Sequence, residues 1–177
     1  FAQLQTGADG SIRYAAMVQL AGIHVLQNDF ESATAILDEL SNATDLPIEL
    51  SAEYWLLTGT CRSNEGDEES AIDCFTNALE FANDEDMLAV ATWQLATSLR
   101  RMDKTDEAND RLQKVVDTWP THRLASPSLV ALIESNFKLA NWDQTISLAN
   151  KTSQFQFPTD ISSRIAELKG RAEYELE

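Results

Sequence analysis

The chain has 177 residues, 44% of them hydrophobic, and a formal net charge of −16, so it is long enough to bury a core. Six glycines and four prolines are few for an all-β protein built on frequent tight turns. No apolar run approaches the roughly 18 residues of a membrane span, and the acidic balance disfavours direct binding to a nucleic-acid backbone.

Hydrophobic periodicity and cap signals place helices near residues 12–27, 30–42, 49–64, 68–82, 85–102, 105–118, 127–140, 142–153 and 160–176. Phe1–Gly7 reads as the tail of an earlier helix. Between the first and second helices lies the polar break Asn28-Asp29, and Gly66-Asp67 separates the third from the fourth. Gly66 suits the left-handed position that ends a helix. Ser126-Pro127 reads as an N-cap followed by a first helical residue, and Asn141 with Gln144 as a capping-box variant. In the last helix Ile161, Ile165, Leu168 and Ala172 form one apolar stripe, which suits an end cap or the first helix of a further unit.

These helices repeat in pairs. Ala33, Ala71, Ala108 and Thr145 stand 38, 37 and 37 residues apart. Twelve residues before them are Ala21, Gly59, Ala96 and Ile133. A glycine inside a helix costs about 1 kcal/mol against alanine, so Gly59 implies that a second helix crosses closely. Each unit is therefore a helix, a short polar turn and an antiparallel second helix.

The run Trp55…Gly59…Gly66-Asp67…Ala71…Phe75…Ala78 resembles the tetratricopeptide repeat, as do Leu20-Ala21…Asn28-Asp29-Phe30…Ala33 and the Pro120 that closes the third unit. The fourth unit departs from the pattern at Ile133 and Thr145. The resemblance implies an all-α, antiparallel helix-hairpin solenoid. We expect about four repeats, over residues 13–47, 48–84, 85–122 and 126–158, plus one C-terminal end helix at 160–176, in a single domain. Both ends suggest a segment of a longer protein. The resemblance also implies a protein-interaction scaffold that takes a peptide or partner subunit on its concave face. Self-association or a structural role in a large assembly is the second reading, and a membrane-associated role at the cell envelope is the third. One subclass of the family clamps a C-terminal carboxylate with Lys and Asn; the matching slots here hold Val18, Gly22, Val90 and Gln94, so that role is not expected.

The sequence offers little for catalysis. Cys61 and Cys74 fit no zinc, disulfide or nucleophile pattern and read as buried thiols. His24 falls where the family places a ring between paired helices, and His122 falls in an exposed connection. No phosphate loop, nucleophile elbow or metalloprotease motif occurs. Asp67-Glu68-Glu69 with Asp73, and Asp84-Glu85-Asp86, lack the spacing of a calcium loop and read as helix N-termini. No enzyme activity, cofactor or metal is expected.

The register nominates a binding surface on the first helices. Val18, Leu56, Trp93 and Val130 stand 15 residues before the anchors, Gly22, Thr60, Thr97 and Glu134 stand 11 before, and Leu26, Asn64, Arg101 and Lys138 stand seven before. Gln19, Gln94 and Arg100 complete the candidates. An apolar stripe with a polar-to-basic rim accepts an extended peptide or amphipathic helix, and Trp93 and Arg101 are anchor-type residues. Arg100 and Arg101 would receive a partner carboxylate. The alternative for the apolar four is packing between repeats.

Charge adds a second expectation. Residues 1–99 hold 17 acidic side chains against Arg13 and Arg62, whereas residues 100–177 hold 12 acidic against 11 basic. The acidic half favours a basic partner, and solubility is the plainer reading. No targeting segment is visible. A cytoplasmic location is the default, and a removed N-terminal anchor would make it periplasmic or membrane-attached.

Overall fold

The computed structural model describes residues 2–43 and 46–177, with side chains from residue 10 onward. Phe1, Thr44 and Asp45 lie outside the described residues, so the expectation for Phe1–Gly7 can be compared only from Ala2 onward. There the backbone is already part of one long helix, not the tail of a separate one. The described residues form nine α-helices: α1 (Ala2–Leu26), α2 (Phe30–Ser41), α3 (Ile48–Asn64), α4 (Glu68–Phe81), α5 (Glu85–Arg101), α6 (Thr105–Thr118), α7 (Ala125–Lys138), α8 (Trp142–Lys151) and α9 (Thr159–Glu175). A 3-10 turn, Thr152–Gln154, follows α8. The chain divides into two compact units, residues 1–102 and 103–177.

Local chemistry explains the helix starts. The side chains of Asp29, Asp67 and Asp84 each accept a hydrogen bond from a backbone N–H three residues on, at Ser32, Ser70 and Met87, which satisfies donors that the helix leaves open. The bonds to Ser32 and Ser70 hold the Asp29 and Asp67 carboxyls below their ordinary value. Two expected caps differ. The helix α7 begins at Ala125, before Pro127, and has no side-chain cap. Asn141 also caps nothing with its side chain; its amide donates instead to Asn136 Oδ1.

The turns share one device. Asn28, Gly66, Asp103 and Ala140 all adopt a left-handed backbone, with φ of 59°, 83°, 58° and 57°. Glycine takes this conformation freely, and asparagine and aspartate tolerate it. Ala140 holds it at a cost of about 1 kcal/mol, which falls in the unit whose signature is weakest.

In the first unit, α1 pairs with α2 and α3 with α4, and α5 packs on α3 and α4. Val18, Ala21, Ala33, Leu37, Leu40, Tyr54, Leu57 and Cys61 form one core cluster. Ala33 and Ala71, two of the repeat anchors, have no exposed surface. A Cβ on Gly59 would lie 2.7 Å from the ring of Phe75 and 3.1 Å from Cys74 Cβ. Phe75 is itself 1% exposed and has nowhere to retreat. The glycine is thus needed for the close crossing of α3 and α4.

In the second unit, α7 packs on α6 and α8, and α9 packs on α7 and α8. Leu129, Ile133, Thr145 and Leu148 are buried. The Thr145 hydroxyl is satisfied by the Asn141 carbonyl at 2.9 Å. The bulkier Ile133 and hydroxylated Thr145 are therefore accommodated without an orphaned polar atom at Thr145. Ile165, Leu168 and Ala172 bury the expected stripe of α9. Arg171 lies 4.9 Å over the Phe137 ring.

Gly59→Ala is expected to destabilise the fold. Overpacking costs about 1–3 kcal/mol, and helix propensity returns about 1 kcal/mol. The thermal midpoint should fall by about 3–6 °C, and Phe75→Leu in the same chain should restore part of it. Calorimetry or circular dichroism measures both.

Candidate functional site

A cavity of about 510 Å³ opens in the first unit, lined by Phe30, Thr60, Ser63, Asn64, Glu68, Phe75, Gln94 and Arg101. It lies between the first helices α3 and α5, with α2 and α4 contributing the two phenylalanines and Glu68. Four of the sequence-nominated residues thus meet here: Thr60, Asn64, Gln94 and Arg101. A second recess of about 290 Å³ is lined by Thr97, Arg100 and Arg101.

Arg101 is already engaged within the chain. Its Nη1 donates to Glu68 Oε1 at 2.8 Å and to the Ser63 hydroxyl. Ser63 in turn donates to both Glu68 oxygens, at 3.1 and 3.0 Å. The Glu68 side chain is 13% exposed and the Arg101 side chain 55% exposed. Partial burial alone would raise the Glu68 carboxyl. Ser98, Arg101 and Ser63 outweigh it and hold Glu68 below its ordinary value. The buried Ser98 hydroxyl contributes to this although it makes no hydrogen bond of ordinary geometry.

Glu68 thus already supplies a carboxylate to Arg101 Nη1 within the chain, and the rest of the guanidinium stays exposed. Glu68 is likewise more than a charge at a helix start. Sequence reasoning missed it because its partner lies 33 residues away. Arg100 is exposed and forms no ion pair among the described residues. Asn64 is exposed and Gln94 half-buried. Their amides are unengaged among the described residues and can donate to and accept from a peptide backbone.

The other nominated residues are placed differently. Val18 is wholly buried in the core cluster and offers a ligand no surface. Leu56 and Trp93 are half-buried and do not line the cavity, and their carbonyls accept from the Thr60 and Thr97 hydroxyls at 2.8 and 2.9 Å. Gln19 donates to both carboxylate oxygens of Glu53, at 3.0 and 3.1 Å. Burial raises the Glu53 carboxyl despite that bond.

In the second unit, Glu134 accepts from Arg164 of α9 at 2.7 Å, and Lys138 is exposed. Glu134 and Val130 line an apolar recess of about 360 Å³ with Pro127, Phe157, Pro158 and Ile161. This recess also lies between consecutive first helices, α7 and α9. A cavity of about 730 Å³ sits where α8 leads into α9, lined by residues that include Phe155, Phe157, Ile165 and Lys169.

The residues considered for chemistry have structural surroundings. Cys61 and Cys74 are free and buried, and burial raises both thiols. His24 Nδ1 lies 3.0 Å from the capping Asp29 carboxylate. His122, expected to be exposed, is half-buried and accepts from the Leu124 N–H at 3.2 Å. Among the described residues no cluster of His, Cys, Asp or Glu is arranged to hold a metal ion, and no helix is long and apolar enough to cross a membrane.

The Glu68 pairing has a pH signature. Its folded carboxyl is lowered, so its stabilisation is fully present above the ordinary carboxylate value and is lost as pH falls through the lowered one. At neutral pH Glu68→Gln should be less stable than the parent by about 1 kcal/mol, discounted for the exposed guanidinium. Denaturant midpoints of the two chains should converge in acid. A constant difference would contradict a charged Glu68.

Residues 55–141 match the family model described as Tetratrico peptide repeat. Comparison with curated protein sequences gives no match. Among solved structures, BtubC (BKLC) from P. vanneervenii is similar with a TM-score of 0.71 and 14% identity, over 96% of this chain and 77% of that one. The Cut9 and Hcn1 hetero-tetramer of the APC/C gives a TM-score of 0.70 at 16% identity, over 90% of this chain and 29% of the matched chain. The MamA protein gives 0.68 at 17% identity, over 91% and 81%. The chain has the all-α, antiparallel helix-hairpin solenoid fold of these proteins, and its residues 55–141 belong to the tetratricopeptide repeat family.

Proposed function

We propose that the chain is a protein-interaction scaffold that binds an extended polypeptide segment along its first helices, at the recess between α3 and α5. The observation that carries this reading is a set of unengaged groups: Asn64 and Gln94 line the recess, and Arg100 lines the smaller one that shares Arg101 with it. The Asn64 and Gln94 amides suit a peptide backbone, and the Arg100 guanidinium suits a carboxylate on the bound segment. The Arg101–Glu68–Ser63 linkage spans α3, α4 and α5 and holds the wall in place before any ligand arrives, which lowers the ordering cost of binding.

The fold supports the same class of function. Repeats of this type present extended surfaces suited to protein partners, and Cut9 is seen assembled with Hcn1. The excess of acid over residues 1–99 would speed the approach of a basic partner, so the bound segment combines an acidic contact for Arg100 with basic flanks.

Affinity capture from native lysate tests the proposal, with the full chain as bait and Gln94→Ala/Arg100→Glu as comparison. Both positions are off the core, so the thermal midpoint should change little. A partner held by the parent and reduced at least about tenfold with the variant supports the recess as the site. Equal capture by both baits would overturn it.

A further inference from the structure

The recess between α7 and α9 lies wholly within the second unit and differs in character from the one between α3 and α5. Its walls are apolar, built from Pro127, Val130, Phe157, Pro158 and Ile161. At about 360 Å³ it stands at the low end of the roughly 300–1,000 Å³ of ligand pockets, so it suits a single apolar group. Its one charged lining residue, Glu134, is bonded by Arg164 at 2.7 Å. A charged occupant would lose water there and find the carboxylate already paired, so an uncharged one is favoured.

One wall of the recess is not helical. Residues 155–158 join the 3-10 turn to α9. Pro158 turns Phe157 away from helical geometry. Phe155 (φ −123°, ψ 157°) and Pro158 (φ −55°, ψ 152°) are both extended. The Phe155 N–H donates to the Thr152 carbonyl, and the Pro158 carbonyl accepts from Ser162. Between them, the N–H and C=O groups of Gln156 and Phe157 have no backbone partner among the described residues. Gln156 is exposed. Phe157 is half-buried, its ring 6.2 Å from that of Phe155.

Open backbone groups on an extended segment, set beside an apolar recess, are the two parts of strand addition. Main-chain hydrogen bonds supply affinity, and the recess selects a side chain. A helical occupant satisfies its backbone internally and would leave these groups unused. A small apolar molecule would do the same.

We propose that the α7–α9 recess and the segment 155–158 form a second docking site, for an extended polypeptide segment. The segment pairs its backbone with the Gln156–Phe157 edge and inserts one large, uncharged apolar side chain against Val130 and Ile161. This site does not depend on the recess between α3 and α5.

A display library of random short peptides, panned on the full chain, tests this, with the Ile161→Glu chain as subtraction bait. Ile161 stands in the first turn of α9, where a carboxylate favours the helix, so the variant should keep its fold while a charge enters the recess. Peptides held by the parent alone should share one large apolar residue between uncharged neighbours. A synthetic copy should bind the variant at least about tenfold more weakly. N-methylation of its backbone beside the apolar residue should weaken it by a similar factor. Amide exchange at Gln156 or Phe157, read on the parent chain, should slow by about tenfold when the peptide is bound. A library that yields no peptide lost with Ile161→Glu would overturn the proposal, as would exchange unchanged at both amides. Equal binding of the N-methylated copy would also overturn it, since the recess would then take an apolar group without a strand.

Discussion

The fold depends on how closely paired helices approach. A helix pair at the short end of the usual 8–10 Å separation requires a small residue at the crossing. At Gly59 the requirement is severe, because the facing Phe75 ring is already buried and a methyl group would overlap it. The same position holds Ala21 and Ala96, both without exposed surface. Once a small residue fixes the crossing, the neighbouring apolar positions are committed to that interface. The remaining positions of each first helix are then free for solvent or a ligand. The Asn64, Gln94 and Arg100 surface is a consequence of that division.

The turns impose the second constraint. The left-handed residue recurs at Asn28, Gly66, Asp103 and Ala140, in step with the repeat. In the first two turns an aspartate cap follows directly, Asp29 and Asp67. The two devices stop one helix and start the next within three residues, which makes adjacent antiparallel packing possible. The last turn lacks both a favourable left-handed residue and a side-chain cap. Its unit is held by other means, including the Phe137–Trp142 edge contact at 5.2 Å and Arg171 above Phe137.

Much of the fold was legible because it rests on period and on small residues. Gly59 announced a close crossing, and Ala33 and Ala71 announced the buried side of the second helices. The start of α7 was not legible, since Ser126-Pro127 resembles a cap wherever the preceding residues are free to be extended, and here Ala125 is already helical. The candidate site was legible in part. The register brought Thr60, Asn64, Gln94 and Arg101 to one recess, yet it placed Val18 there too. Register gives the direction of a side chain from its helix and says nothing of which neighbour covers it. The Arg101–Glu68 pair was invisible for a related reason: both residues read as ordinary surface charges until α3, α4 and α5 are assembled.

The surface between α3 and α5 is the one proposed to receive a polypeptide. Photocrosslinking in native lysate tests it most directly, with a photoreactive residue at Gln94 and, separately, at Glu80 on the outward side of α4. A partner seated between α3 and α5 gives a discrete crosslinked protein from position 94 that is absent or far weaker from position 80. Crosslinking from position 80 alone, or the same product at equal yield from both, would place the partner elsewhere and contradict the assignment.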